Sequence, residues 1–147
     1  MTHLQELLKR AGLRVTSPRL AVLSALQGLP HQSAEAIATA ARGRLGSLST
    51  QAVYDNLHLL VDAGLVRRIE PAGSAALFEV QTGDNHHHLV CRACGTAHDV
   101  DCAAGAAPCM HPSDHHGFVL DEAEVVFWGL CPACQEKPTV IEPEVRP

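Results

Sequence analysis

Apolar residues recur at helical spacing along the first part of the chain, and the period then shortens. Leu4, Leu7, Leu8 and Ala11 fall on one face of a first helix that Gly12 closes. Thr16-Ser17-Pro18 offers a capping hydroxyl and a first-turn proline to a second helix, whose stripe of Leu20, Leu23 and Leu26 runs to Gly28 and Pro30. Ser33 caps a third, with Ile37 and Ala41 inward and Gly43 as its stop. Ser49 caps a fourth, with Val53, Leu57, Leu60 and Val61 as its stripe and an end near Ala63-Gly64. Residues 65–69 and 75–80 then read as two extended runs joined by a turn at 71–74. Helices followed by a hairpin are the order of a winged helix-turn-helix.

Polar residues 81–85 read as a hinge. Beyond it, Leu89-Val90, residues 98–100 and residues 119–128 predict strands of a small sheet, and 103–113 a loop or poor helix. The fold class expected is α+β: an N-terminal winged helix-turn-helix DNA-binding domain at 1–80, a small C-terminal α/β domain at 86–136, and a flexible tail at 137–147 with prolines at 138, 143 and 147. At 147 residues the chain suits one domain or two very small ones, so bound metal is expected to supplement a small core.

Charge sharpens this division. The net charge of -5 separates into 8 Lys/Arg against 6 Asp/Glu in residues 1–82 and 3 against 10 in residues 83–147. A modestly basic front half can approach phosphates, while the acidic back half suits cations. No apolar run approaches the roughly 18 residues of a membrane span, and the opening residues lack a signal peptide's n- and h-regions. A cytoplasmic protein is expected, in which thiols stay reduced and paired cysteines favour metal over disulfide.

The chemistry lies in the pairs Cys91-x-x-Cys94 and Cys131-x-x-Cys134. Each pair sets two thiolates on one side of a turn, and together they supply the four sulfurs of a closed, structural zinc site. His86 and His88, two apart, project from one face of a strand, with His87 on the other. The fourth helix carries Ser49, Thr50, Gln51, Tyr54, Asp55 and His58 away from its apolar stripe, groups suited to phosphates and base edges. Arg19 suits a backbone phosphate, and Arg67 and Arg68 suit the backbone or minor groove. Asp55 repels phosphates unless it accepts from a cytosine amino group. Cys102 and Cys109 have two readings, a reversible disulfide that adds a redox input or a pair of unreactive thiols.

Residues 13–19 (LRVTSPR), 49–54 (STQAVY) and 63–66 (AGLV), the histidine run and both cysteine pairs closely resemble the ferric uptake regulator (Fur) superfamily, over about residues 4–134. The resemblance implies a homodimeric winged-helix repressor, not an enzyme, whose C-terminal domain dimerises and whose partner is palindromic operator duplex DNA. Residues 84–88, 107–109 and 120–125 further resemble the branch that represses catalase-peroxidase genes. It also implies two metals per subunit: one Zn2+ on the four cysteines, and one regulatory Fe2+ or Mn2+ on His31, Glu79, His86, His88 and Asp99. Peroxide sensors of the superfamily have aspartate where this chain has Asp99, and iron sensors more often have glutamate, so a peroxide response is expected. A further metal site of some relatives is not expected, since Ala123 stands at one of its positions. Three other readings remain open at this point: an iron, manganese or zinc uptake repressor of the same fold, a zinc hydrolase using the histidine run, and a zinc-stabilised protein-interaction module without DNA affinity. The second lacks an H-E-x-x-H motif.

Overall fold

Each of the first four helices begins where a hydroxyl accepts an otherwise orphaned amide. In α1 (His3–Arg10) Thr2 and Gln5 form a reciprocal capping box. Thr16 caps α2 (Ser17–Gly28), with Pro18 in the first turn, where a missing N–H costs nothing. Ser33 caps α3 (Ala34–Leu45) and Ser49 caps α4 (Thr50–Asp62), accepting from Ala36 and Ala52 at 3.2 and 3.1 Å. The computed structural model describes residues 1–83, 86–101 and 110–137, and the chain divides into two units, Met1–Asp84 and Asn85–Pro147.

In the first unit the four helices bury one core, in which Leu8, Val22, Leu23, Ile37, Val53, Leu57 and Leu60 are almost wholly covered. Each such aliphatic side chain contributes about 1.5–3 kcal/mol of burial. A three-stranded antiparallel sheet closes the unit in the order β1 (Gln32–Ser33), β3 (Leu77–Val80), β2 (Val66–Ile69). The hairpin turns at Gly73, with Ser74 donating to the Pro71 carbonyl. Phe78 drops from β3 into the core, and its neighbour Glu79 points to the opposite face.

Three boundaries differ from the expectation. Helix α3 runs past Gly43 and stops at Gly46, whose φ of 80° provides the left-handed turn that glycine accepts readily. Both hairpin strands are shorter than their apolar runs, starting at Val66 and Leu77. The two-residue β1 carries no periodic signal and exists because Gln32 and Ser33 pair with Phe78 and Leu77.

In the second unit β4 (His86–Cys91) is central, with β5 (Ala97–Asp101) antiparallel on one side and β6 (Val126–Gly129) parallel on the other. The strand expected over 119–128 reduces to β6, whose length is set by its partner. A short helix α5 (Pro132–Gln135) follows. Because β4 and β6 run in the same direction, the turn after each lies at the same end of the sheet. Part of the expected hinge, most of the loop expected over 103–113, the expected tail beyond residue 137, Cys102 and Cys109 lie outside the described residues. No described helix is long and apolar enough to cross a membrane.

Candidate metal centres and nucleic-acid interface

The parallel pairing of β4 with β6 brings the two cysteine turns together. Cys91 ends β4 opposite Gly129, so Cys131 arrives two residues later beside the first turn. Gly95 bends the first turn at φ 76° and returns its amide to the Cys91 carbonyl, while the Cys134 amide returns to the Cys131 carbonyl. One sulfur from each of Cys91, Cys94, Cys131 and Cys134 lies within 4.8 Å of the others, and the Cys94 and Cys131 sulfurs are 3.7 Å apart.

Their protonation is uneven. Backbone amides, that of Cys131 foremost, draw the Cys91 thiol down to about 6. The Thr96 hydroxyl is the main cause of a lowered Cys94. Cys134 is pushed up to about 12, chiefly through its hydrogen bond with the Cys131 sulfur. Sulfurs this close resist joint ionisation unless a cation compensates them, and four thiolates around a small space suit the tetrahedral preference of zinc. The residues present fit the ion.

A second group of donors lies in the first unit. The β1–β3 pairing sets the residue before β1 beside β3, and His31 Nε2 lies 2.8 Å from Glu79 Oε2, with both side chains buried. His31 holds φ at 58°, a left-handed conformation that costs a non-glycine residue roughly 1–3 kcal/mol.

A third group lies in the second unit. His86 and His88 project from the same face of β4 with ring centroids 5.0 Å apart. Register sets Asp99 opposite His88, and its Oδ1 lies 3.6 Å from His86 Nε2 and 3.5 Å from His88 Nε2. Imidazole and carboxylate donors of this kind suit iron or manganese better than a soft thiolate-preferring ion. Glu124, an exposed residue, brings Oε1 within 4.0 Å of His88 Nδ1. His87, on the other face of β4, is buried, and its Nδ1 accepts the Val125 amide at 3.2 Å. Nothing in the sequence pairs those two residues, since the contact follows from the parallel β4–β6 alignment.

On α4, Thr50, Gln51, Tyr54, Asp55 and His58 are exposed, while Val53, Leu57 and Leu60 are buried. Ser49 Oγ is engaged as the cap, and Gln51 Nε2 donates to Asp55 Oδ1 at 2.8 Å. The Arg19 guanidinium donates to the Arg14 carbonyl at 2.6 Å, and Arg68 pairs with Glu70. Sequence reasoning missed Arg42. From the last turn of α3 its Nε donates to the Leu48 carbonyl at 2.7 Å and its NH2 group to the Thr50 hydroxyl at 2.9 Å. Read from sequence, a basic residue there only complements the helix dipole.

Residues 10–127 match the ferric uptake regulator family. The chain is 60% identical to the transcriptional regulator FurA of Mycobacterium tuberculosis over 129 residues, 88% of each protein. It is 29% identical to the peroxide operon regulator of Bacillus subtilis, over 90% of this chain and 91% of that one. Among solved structures it resembles a zinc uptake regulator complexed with zinc and DNA, with 27% identity and a TM-score of 0.63 over 92% of this chain and 97% of that one.

Proposed function

Starting from the chain's membership of the ferric uptake regulator family, we propose that this metal-dependent transcriptional regulator is a cytoplasmic homodimeric repressor of oxidative-stress genes of the catalase-peroxidase type that releases a palindromic operator on meeting peroxide. Membership makes it a regulator rather than an enzyme, which removes the zinc-hydrolase reading.

One observation carries the proposal. The mixed donors fall into two groups, His31 with Glu79 in one unit and His86 and His88 with Asp99 in the other, and neither alone makes a full coordination set. In this reading a regulatory Fe2+ or Mn2+, one per subunit, draws on both groups, so binding it favours one arrangement of the units over others. The four cysteines hold one Zn2+ per subunit and serve folding alone. Bound iron would supply redox chemistry. The chain would supply the donors, and Asp99, a carboxylate shorter than glutamate, would leave room for peroxide. A ligand imidazole, His31 or His86, would gain a hydroxyl oxygen from peroxide (ring C–H to C–OH, with water as the second product), would no longer ligate, and DNA would be released.

Dimer formation is supported by an uncovered apolar face. Leu89 and Phe127 pair in register across β4 and β6 and remain 47% and 48% exposed. DNA binding is assigned to Ser49, Thr50, Gln51, Tyr54 and Asp55 at the start of α4, which enters the major groove, and to Arg19 of α2 at a backbone phosphate. Any redox role of Cys102 and Cys109 would be a second input.

A repressor of iron, manganese or zinc uptake is the second reading, favoured by the description of the family itself. The deciding experiment titrates duplex DNA with metal-free, Mn(II)-loaded and Fe(II)-loaded protein, each before and after peroxide. Loss of binding confined to the Fe(II) form after peroxide is expected. Metal-dependent binding indifferent to peroxide would leave the uptake reading in its place.

A further inference from the structure

Helix α4 is chemically odd for a helix that reads DNA. From Thr50 to Asp62 it contains no Lys or Arg and two Asp, so it contributes no cation to phosphate binding. Its exposed face instead carries a hydrogen-bonded pair. Gln51 and Asp55 lie one turn apart on the exposed face, and Gln51 Nε2 donates to Asp55 Oδ1 at 2.8 Å.

The chemistry of that pair is directional. An ionised carboxylate only accepts hydrogen bonds, whereas a glutamine amide can present either its oxygen or its nitrogen. Asp55 therefore decides which way the amide faces. An amide spans the N6 and N7 edge of adenine with its oxygen and the N–H on the same side, and the other N–H is then free for Asp55. A solitary glutamine would have to choose between two orientations on binding. Here the choice is made beforehand, which lowers the ordering cost. The Asp55 charge also repels phosphates, penalising any docking in which the pair meets the backbone instead of a base.

We propose that Gln51 and Asp55 form a specificity-determining pair, in which Asp55 fixes the Gln51 amide so that it reads an adenine in the major groove. This rests on the reading above, in which α4 enters the operator. Gln51 is the contacting residue, and Asp55 is a positioning residue.

The test uses the full-length Mn(II)-loaded protein. Duplexes are enriched from a randomised pool with the wild-type chain, and the preferred duplex is then compared with single-base variants and with a scrambled duplex. The wild type is expected to require adenine at one symmetry-related pair of positions. Gln51→Ala should reduce that preference about tenfold, the worth of a bidentate base contact. Asp55→Ala should reduce it by a similar factor at the same positions, and should bind the scrambled duplex more tightly because a repulsive charge is gone. A loss of folding stability cannot produce these opposite changes. Both side chains are exposed and alanine favours helix, so melting temperatures should hold. An Asp55→Ala protein that keeps the wild-type adenine preference would overturn the inference. So would a wild-type motif with no position sensitive to Gln51→Ala, which leaves the repressor reading intact. Failure of the wild type to enrich any duplex would sink both.

Discussion

His31 combines a strained backbone with a ligand's chemistry, so its two roles can be separated. Asparagine adopts positive φ more readily than other non-glycine residues, and His31→Asn should keep the turn at φ 58° while removing the imidazole beside Glu79. Circular dichroism should then match the wild type, while the melting temperature should fall because the buried Glu79 carboxylate loses the imidazole beside it. Loss of a supporting residue around a metal typically weakens affinity about 10–100-fold, and loss of a direct ligand should be at least as costly. Mn(II) titration by calorimetry, with zinc retained, should therefore give a dissociation constant raised by more than about tenfold. An unchanged Mn(II) affinity would remove His31 from the regulatory centre. Leu57 sits at the opposite extreme, fully buried in the core with no polar duty. Leu57→Ala should cost about 2–5 kcal/mol in urea denaturation, through lost burial and the cavity it leaves.

At the scale of elements, legibility followed the range of the forces involved. Helix starts could be read because the Thr16, Ser33 and Ser49 hydroxyls bond amides three residues away, and the apolar stripes because helical period is local. Helix α3 passed Gly43 because one glycine costs a helix only about 1 kcal/mol, which packing of Ala38 and Ala41 offsets. Strands β1 and β6 were hidden or misjudged because partners far away in sequence define them, Leu77 and Phe78 for one and residues 88–91 for the other. The same limit explains the sites. Four cysteines announce themselves by spacing, whereas the burial of His87 against Val125 and the reach of Arg42 to Leu48 and Thr50 depend on tertiary contacts. Arg42→Ala should loosen the turn that sets the start of α4, lowering stability by about 1 kcal/mol, the typical worth of a partly exposed hydrogen bond. Arg42→Lys should recover little of it, since an ammonium does not reproduce the planar two-bond fork. Thermal melts of the two variants against wild type check this. In the second unit, β4 and β6 each lead into a cysteine pair, so Cys131→Ser should abolish tight zinc retention and unfold the short sheet. The readouts are zinc content by mass spectrometry and amide exchange across residues 86–91.

Across the whole molecule, the two kinds of donor group are distributed differently, and in the proposed function that difference separates scaffold from switch. All four thiols belong to the unit Asn85–Pro147, so an ion there stabilises one body irrespective of the other. The mixed donors are divided, with Glu79 on β3 and Asp99 on β5 belonging to different units. An ion that needs both sets draws part of its affinity from one arrangement of the units, and DNA selecting the same arrangement must be linked to it. Linkage is reciprocal: the factor by which Mn(II) tightens DNA equals the factor by which DNA tightens Mn(II), and couplings of this kind are commonly about 5–150-fold. Both factors can be measured on one preparation, by anisotropy titration of a labelled duplex with and without Mn(II) and by Mn(II) calorimetry with and without the duplex. Glu79→Ala should shrink both factors toward one together, while zinc content and melting of the second unit stay unchanged. Equal factors that persist in Glu79→Ala would place the regulatory ion within the second unit alone, and the clamp would have to be abandoned.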